Sequence, residues 1–263
     1  MWNGELGEEA IFRANPFAEA IVRGLDEGEA LIRLDRGGMS REEVSNYIQN
    51  IYKDLSVFHS YKFFTNAPIG NFSFSGDTIE VSLKRDQVLR DKKELTEAVI
   101  EAAIWELDLM NPDLSEPERI LRIHDYIVHR AEYDIEGYRS DNIGEDSYTA
   151  YGILCKRLGV CSGYARAFQM FCSYLEIPCV YIEGMANGRH AWNKVLVAGA
   201  WYNIDLTWDD PVDYIHKADY DYFLKSDREM GASHREDENR YYPRALEERD
   251  FVEELNIELI LKE

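Results

Sequence analysis

Cys161 is the residue of this 263-residue chain that is best placed to act as a nucleophile. It follows Gly159-Val160 and begins an apolar-periodic run that predicts a helix over 161–174. Unpaired amides and the positive end of the dipole at a helix start stabilise a thiolate, which favours nucleophilic attack. The other cysteines begin no helix, form no CxxC zinc pattern and are expected to be small buried residues: Cys155, Cys172 and Cys179.

A nucleophilic cysteine needs a base, usually histidine, and that histidine needs an acceptor that orients it. Among the six histidines, His190 begins the run 190–197, whose alternation predicts a strand. His124 and His129 lie on one predicted helix, about 140° apart around its axis, and so share no metal-binding face. These two are expected to be ordinary helix residues, and three further histidines have no organised neighbours in the sequence: His59, His216 and His234.

The segment after His190 predicts a hairpin that brings an orienting carboxylate to it. Ala198-Gly199 is typical of a two-residue turn between strand 190–197 and a returning strand 200–206. This register makes His190 the diagonal neighbour of Asp205, at a backbone distance of roughly 7–8 Å that the two side chains can bridge. Trp192 falls opposite Asp205, where it either excludes water from the pair or is simply a core residue. We therefore predict Cys161, His190 and Asp205 as the catalytic residues.

Other segments predict the elements that support these residues. Capping boxes at Ser40 and at Ser115 predict two helix starts. The second opens a helix with an apolar stripe at Ile120, Ile123, Ile127 and Ala131, and a further helix is predicted over 92–110. Strands are predicted at 62–64 and in a hairpin of 71–75 with 79–83, while the polar segment 134–145 predicts a surface loop.

The composition indicates a globular chain with an acidic surface, because 45% of residues are hydrophobic and the net charge is −21. This charge argues against nucleic-acid partners and against anionic membranes, since both must be met by clustered Lys and Arg. It would favour cationic or amine substrates, or only keep the protein soluble. No apolar run reaches a membrane span, and the acidic N-terminus is unlike a leader, so a cytoplasmic protein is expected unless a leader was removed.

Three separated motifs carry a resemblance to a known family: Gly159-Val160-Cys161-Ser162-Gly163-Tyr164-Ala165, His190-Ala191-Trp192-Asn193, and the run from Trp201 to Pro211. In this order they resemble the transglutaminase core domain, and more narrowly its bacterial protease-like branch, akin to kyphoscoliosis-type peptidases. The resemblance covers about residues 115–211. It implies an α+β, papain-like fold in which a nucleophile helix packs on an antiparallel sheet. We therefore expect an α/β lead-in region at 1–112 and a transglutaminase-like catalytic domain at 113–263.

The resemblance places the roles of a catalytic triad on Cys161, His190 and Asp205, which would transfer the acyl group of a peptide bond or glutamine carboxamide. Hydrolysis, as in a peptidase or amidase acting on a protein or peptide, is the reading that we favour. Cross-linking to an amine and a non-catalytic binding or cell-envelope scaffold are the alternatives.

Two further expectations concern the surroundings of the nucleophile. The Cys161 amide and a side chain, Tyr148 or Tyr151, are candidates to stabilise an oxyanion. No cofactor or metal is expected, because Asp209, Asp210 and Asp213 are spaced too irregularly for a calcium loop.

Overall fold

The computed structural model describes residues 11, 14–65, 69–84, 86–210, 218–239 and 241–257. Its helices are α1 (Ala18–Glu27), α2 (Arg41–His59), α3 (Gln87–Glu106), α4 (Glu116–Val128), α5 (Ile135–Arg139), α6 (Cys161–Tyr174), α7 (Asp227–Met230) and α8 (Phe251–Glu254). Its strands are β1 (Leu31–Asp35), β2 (Ile69–Ser75), β3 (Thr78–Leu83), β4 (Glu132–Tyr133), β5 (Leu158–Gly159), β6 (Cys179–Met185), β7 (Arg189–Val197), β8 (Ala200–Ile204) and β9 (Arg235–Glu236). Short helical turns cover Ser60–Lys62, Glu145–Tyr148 and Gly152–Lys156.

Both predicted helix starts are confirmed, and the reason is local hydrogen bonding. Ser40 and Ser115 each accept from the backbone N–H three residues on, and the glutamate there bonds back to the serine amide. The predicted stripe of α4 is buried, with Ile120 and Ile123 fully enclosed. Local hydrogen bonds therefore fix the first turn of both helices.

Two sequence predictions in the N-terminal half are wrong in detail. The helix predicted over 92–110 is α3, which starts earlier because the Asp86 carboxylate accepts from Leu89 N–H, and ends earlier at Glu106. The strand predicted at 62–64 is absent from the described residues. A short helical turn precedes Phe63 instead, and the Ser60 hydroxyl bonds Gln169 of α6 at 2.6 Å. A contact with a distant helix thus overrides the local apolar pattern there.

Antiparallel hairpins build the two larger sheets. The first has the order β1-β3-β2 and includes the hairpin predicted at 71–75 and 79–83. The second has the order β8-β7-β6-β9, and Val197 pairs with Ala200 as the Ala198-Gly199 turn predicts. A small parallel pair joins β4 to β5. The α+β class is therefore confirmed.

The four-stranded sheet lies between two hydrophobic clusters. Helix α6 packs against β6 and β7, and its Phe168 and Phe171 share one cluster with Val195 of β7. The other cluster joins Ile182 of β6 and Trp192 of β7 to buried residues of α1 and α2. That second cluster contains residues from both sides of position 112. The N-terminal elements therefore cover part of the sheet that carries the site. The domain boundary at 112 stays a prediction. Among the described residues, no helix is long and apolar enough to cross a membrane.

Candidate active site

Cys161 is the first residue of α6, at the position that the sequence predicts. Its side chain is partly exposed and packs against Ala165, Tyr181 and Ala191. Cys172 and Cys179 are buried and Cys155 is half-buried, so Cys161 combines a helix start with access to solvent.

The start of α6 is held by the carbonyl of Ser147. Val160 N–H donates to that oxygen at 2.9 Å, and a Cβ on Gly163 would stand only 2.6 Å from it. Asp134 fixes this contact from the other side, because it accepts from the Ser147 hydroxyl at 2.9 Å and its amide donates to Gly159 at 2.8 Å. The segment predicted as a surface loop thus begins with a buried carboxylate that positions the nucleophile helix, and it also contains α5.

His190 lies at the start of β7 and joins the cysteine to the carboxylate. Its Nε2 is 2.6 Å from Asp205 Oδ2, and Cys161 lies close enough to raise the pKa of His190. Since Asp205 occupies Nε2, Nδ1 is the nitrogen that remains for the sulfur. The ring is stacked on Trp192 at a centroid distance of 6.0 Å and an angle of 21°, as the predicted register allows. The structure therefore brings together the three residues that the sequence singled out.

Burial and the neighbouring charges have opposite effects on the pKa of His190 and on the pKa of Asp205. Burial by itself would lower the pKa of His190, but the Asp205 carboxylate and the Cys161 thiolate outweigh it and raise the pKa to about 10. Burial would likewise raise the pKa of Asp205, but His190 and His234 lower it to about 2. An ionised carboxylate and a protonated imidazole are the expected state at neutral pH.

His234 is the site residue that sequence reasoning missed. Its Nε2 is 2.9 Å from the same Asp205 oxygen, its Nδ1 is 2.7 Å from the Ser233 hydroxyl, and its ring lies 4.7 Å from that of Trp208. It follows α7 and directly precedes β9, in a polar stretch that carries no periodic signal. Only the pairing of β9 with the end of β6 brings it to the site.

Ligand atoms of His190, Asp205 and His234 lie within 4.8 Å of one another, close enough to hold a metal ion. Hydrogen bonds already account for this geometry, because both histidine nitrogens that face Asp205 are at bonding distance from one carboxylate oxygen. The other oxygen, Oδ1, accepts from the amide of Thr207 at 3.0 Å. We therefore describe the group as a hydrogen-bonded network. Asp213 and His216, which the sequence analysis considered, lie outside the described residues.

Two tyrosines lie within electrostatic reach of the nucleophile. Burial first, and then the Cys161 thiolate, raise the pKa of Tyr133 and of Tyr148. Tyr151, the other predicted oxyanion candidate, instead lies beneath the ammonium groups of Lys92 and Lys156, each 5.7 Å from its ring. Tyr148, one of the two predicted tyrosines, is therefore within electrostatic reach of Cys161.

A second buried network supports the turn after Asp205. His124 is fully buried, with Nε2 at 3.2 Å from Asp209 and Nδ1 at 3.0 Å from Asp125. Burial would lower the pKa of His124, but the two carboxylates raise it to about 9. Asp209 in turn accepts from Tyr222 N–H at 2.9 Å and donates its own N–H to the Asp205 carbonyl at 3.2 Å. His124 is therefore more than the ordinary helix residue that the sequence predicts.

The arrangement is one that a cysteine nucleophile requires: a thiol at a helix start, and a histidine and a carboxylate brought together by an antiparallel hairpin. Residues 106–206 match the family model described as the Transglutaminase-like superfamily. The resemblance to the transglutaminase-like superfamily seen in the sequence is therefore confirmed for residues 106–206.

Two relatives also match part of the chain. Kyphoscoliosis peptidase of Mus musculus is 30% identical over 114 residues, and that of Homo sapiens is 28% identical. Each alignment covers 38% of this chain and 17% of the relative, so the chain corresponds to a small part of those proteins. A solved structure of a TGase is 17% identical, covers 54% of this chain and 45% of its own, and has a TM-score of 0.39.

The fold is expected to lose stability as the pH rises from about 6.5 to about 10, because folded His190 binds its proton more tightly than the unfolded chain does. Its contribution is fully present below the unfolded pKa and disappears as the pH passes through the folded value. Urea unfolding at about pH 6, 8 and 10 measures the free energy of unfolding of the wild type and of His190→Gln. The difference between the two proteins should shrink with rising pH, and parallel curves would contradict the His190–Asp205 ion pair.

Proposed function

We propose that this chain is a cysteine-dependent acyl-transfer enzyme that hydrolyses peptide or glutamine carboxamide bonds. Cys161 is the nucleophile, His190 the acid and base, and Asp205 the carboxylate that orients His190. The observation that supports this most is the 2.6 Å hydrogen bond between His190 and Asp205, with Cys161 close enough to raise the pKa of His190. The names of the matched kyphoscoliosis peptidases favour hydrolysis of a peptide.

The reaction begins with attack of the Cys161 thiolate on the carbonyl carbon, which forms a C–S bond and a tetrahedral oxyanion. The Cys161 amide and the Tyr148 hydroxyl are the groups that would bind this oxyanion. As the C–N bond breaks, His190 transfers its Nδ1 proton to the leaving amine or ammonia, and a thioester remains.

Hydrolysis completes the cycle. His190 removes a proton from water, the water oxygen attacks the thioester, and the C–S bond breaks to release the carboxylic acid and restore the thiolate. Asp205 stays ionised throughout, because its role is to hold the Nε2–H of His190 and to balance the imidazolium charge.

The test is a panel of glutamine-containing peptides incubated with and without a fluorescent primary amine, with Cys161→Ser as the control. Hydrolysis predicts peptide cleavage or ammonia release by the wild type without incorporation of the amine. Incorporation would overturn hydrolysis in favour of cross-linking. If neither product forms and the Cys161 thiol alkylates no faster than a free thiol, the enzyme proposal fails as a whole.

A further inference from the structure

Asp205 is shared between two histidines. Its Oδ2 lies 2.6 Å from His190 Nε2 and 2.9 Å from His234 Nε2, and side-chain exposure is 6% for His190 and 1% for the other two. Only His190 has a part in the reaction as proposed above. The second histidine is therefore a buried group on the same oxygen without an assigned role.

The donor and acceptor roles of these atoms show which ring nitrogens carry a proton. An ionised carboxylate can only accept, so both nitrogens that approach Oδ2 must carry hydrogen. His234 then donates from Nε2, and its Nδ1 faces the Ser233 hydroxyl at 2.7 Å, which can donate to it. A neutral His234 satisfies every contact of this arrangement, so its donor function does not require a second positive charge beside His190.

The ring of His234 has little freedom to leave this position. Its centroid lies 5.1 Å from Trp192, 4.7 Å from Trp208 and 5.3 Å from Tyr222, and Trp192 also stacks on His190. Trp192 and Trp208 thus pack against both histidines. At such a buried position a hydrogen bond to an ionised oxygen is stronger than in water.

His234 also completes the set of donors that fix the carboxylate. Oδ1 is held by the amides of Thr207 at 3.0 Å and Trp208 at 3.4 Å, and Oδ2 by the two histidines. Without His234, the imidazole of His190 would be the one partner of Oδ2 among the residues that the structure describes. Asp205 Oδ2 would then be held by His190 alone, although Asp205 is the group that has to orient His190.

We propose that His234 is a positioning residue for the reaction: its Nε2–H fixes Asp205 Oδ2, and Asp205 thereby holds His190 with Nδ1 toward Cys161. This inference rests on the proposed function of the Cys161, His190 and Asp205 site. It adds a fourth residue, contributed by the segment between α7 and β9.

Two substitutions separate the donor from the ring. His234→Phe keeps an aromatic ring without a donor, whereas His234→Gln keeps a side-chain N–H near the position of Nε2. For His234→Phe we expect kcat to fall roughly 10- to 100-fold with little change in KM, because a small misplacement of a reacting group has an effect of this size. His234→Gln should recover to within about threefold of the wild type.

A spectroscopic readout makes the test independent of the substrate. The downfield proton resonance of His190 Nε2–H, assigned by its loss in His190→Gln, should shift or broaden in His234→Phe and return in His234→Gln. A wild-type resonance that is unchanged in folded His234→Phe overturns the role of His234, and so does an unchanged kcat. Should His234→Phe fail to fold, His234→Gln decides alone: near wild-type kcat supports the donor role, and a loss of 10-fold or more contradicts it.

The two proposals fail in different ways. If the wild type shows neither turnover nor fast alkylation of Cys161, the proposed function is wrong whatever His234 does to the His190 resonance. If the wild type is active and folded His234→Phe is equally active, the function stands and the positioning role is wrong.

Discussion

Cys161→Ala is expected to lower the turnover of a peptide or glutamine substrate by about 10⁴-fold or more, because it removes the atom that forms the covalent intermediate. The variant should fold normally, since the Cys161 side chain is partly exposed and contacts few buried residues. Steady-state kinetics and a thermal melt on the same preparations measure the two effects.

Cys155→Ala is the matched control for this substitution. The Cys155 thiol is half-buried, lies 3.8 Å from the Thr96 hydroxyl and has its pKa raised by burial. We expect its loss to leave kcat unchanged. Mass spectrometry after brief treatment with iodoacetamide at neutral pH should show Cys161 modified first, and preferential modification of Cys155 would contradict the assignment of the nucleophile.

Lys194→Met is expected to destabilise the fold by about 1–3 kcal/mol, because it removes the charged hydrogen bonds of a buried ammonium group to two half-buried carboxylates. Lys194 lies on β7 with no side-chain exposure, and its ammonium group is 2.8 Å from Asp227, from Glu236 and from the Pro243 carbonyl. These contacts tie α7 and β9 to β7. Chemical denaturation followed by circular dichroism measures the free energy of unfolding.

Arg189→Ala, on the same strand, is the control for a charge pair at the surface. Arg189 is 60% exposed and pairs with Asp237 at 2.8 Å, so its loss should change the free energy of unfolding by less than about 1 kcal/mol. If Lys194→Met has no larger effect than Arg189→Ala, the buried cluster does not stabilise the C-terminal segment as its geometry implies.

The predictions that succeeded from sequence depend on signals that act within a few residues. The capping boxes at Ser40 and Ser115 place two helix starts, and the Ala198-Gly199 turn sets the register of β7 and β8. That register brings His190 and Asp205 within hydrogen-bonding distance. Turn geometry and side-chain alternation decide such contacts, so they can be predicted from the sequence alone.

The predictions that failed depend on packing between distant segments. Phe63 lies beyond a helical turn rather than in a strand because Ser60 bonds Gln169, far along the chain. Asp134 is buried rather than on a surface loop because the Ser147 hydroxyl and the backbone of β5 bind it. Neither partner can be inferred from the residues next to these positions.

The sequence by itself determined the likeness to the transglutaminase core, the helix start at Cys161 and the hairpin that pairs His190 with Asp205. Only the tertiary structure decided the surroundings of these residues: the place of His234 on Asp205 and the raised pKa of His190. The physical reason is that burial and electrostatic interaction depend on which groups meet in space. Periodicity, capping and turns specify each element, and packing of the elements specifies the environment in which Cys161 lies.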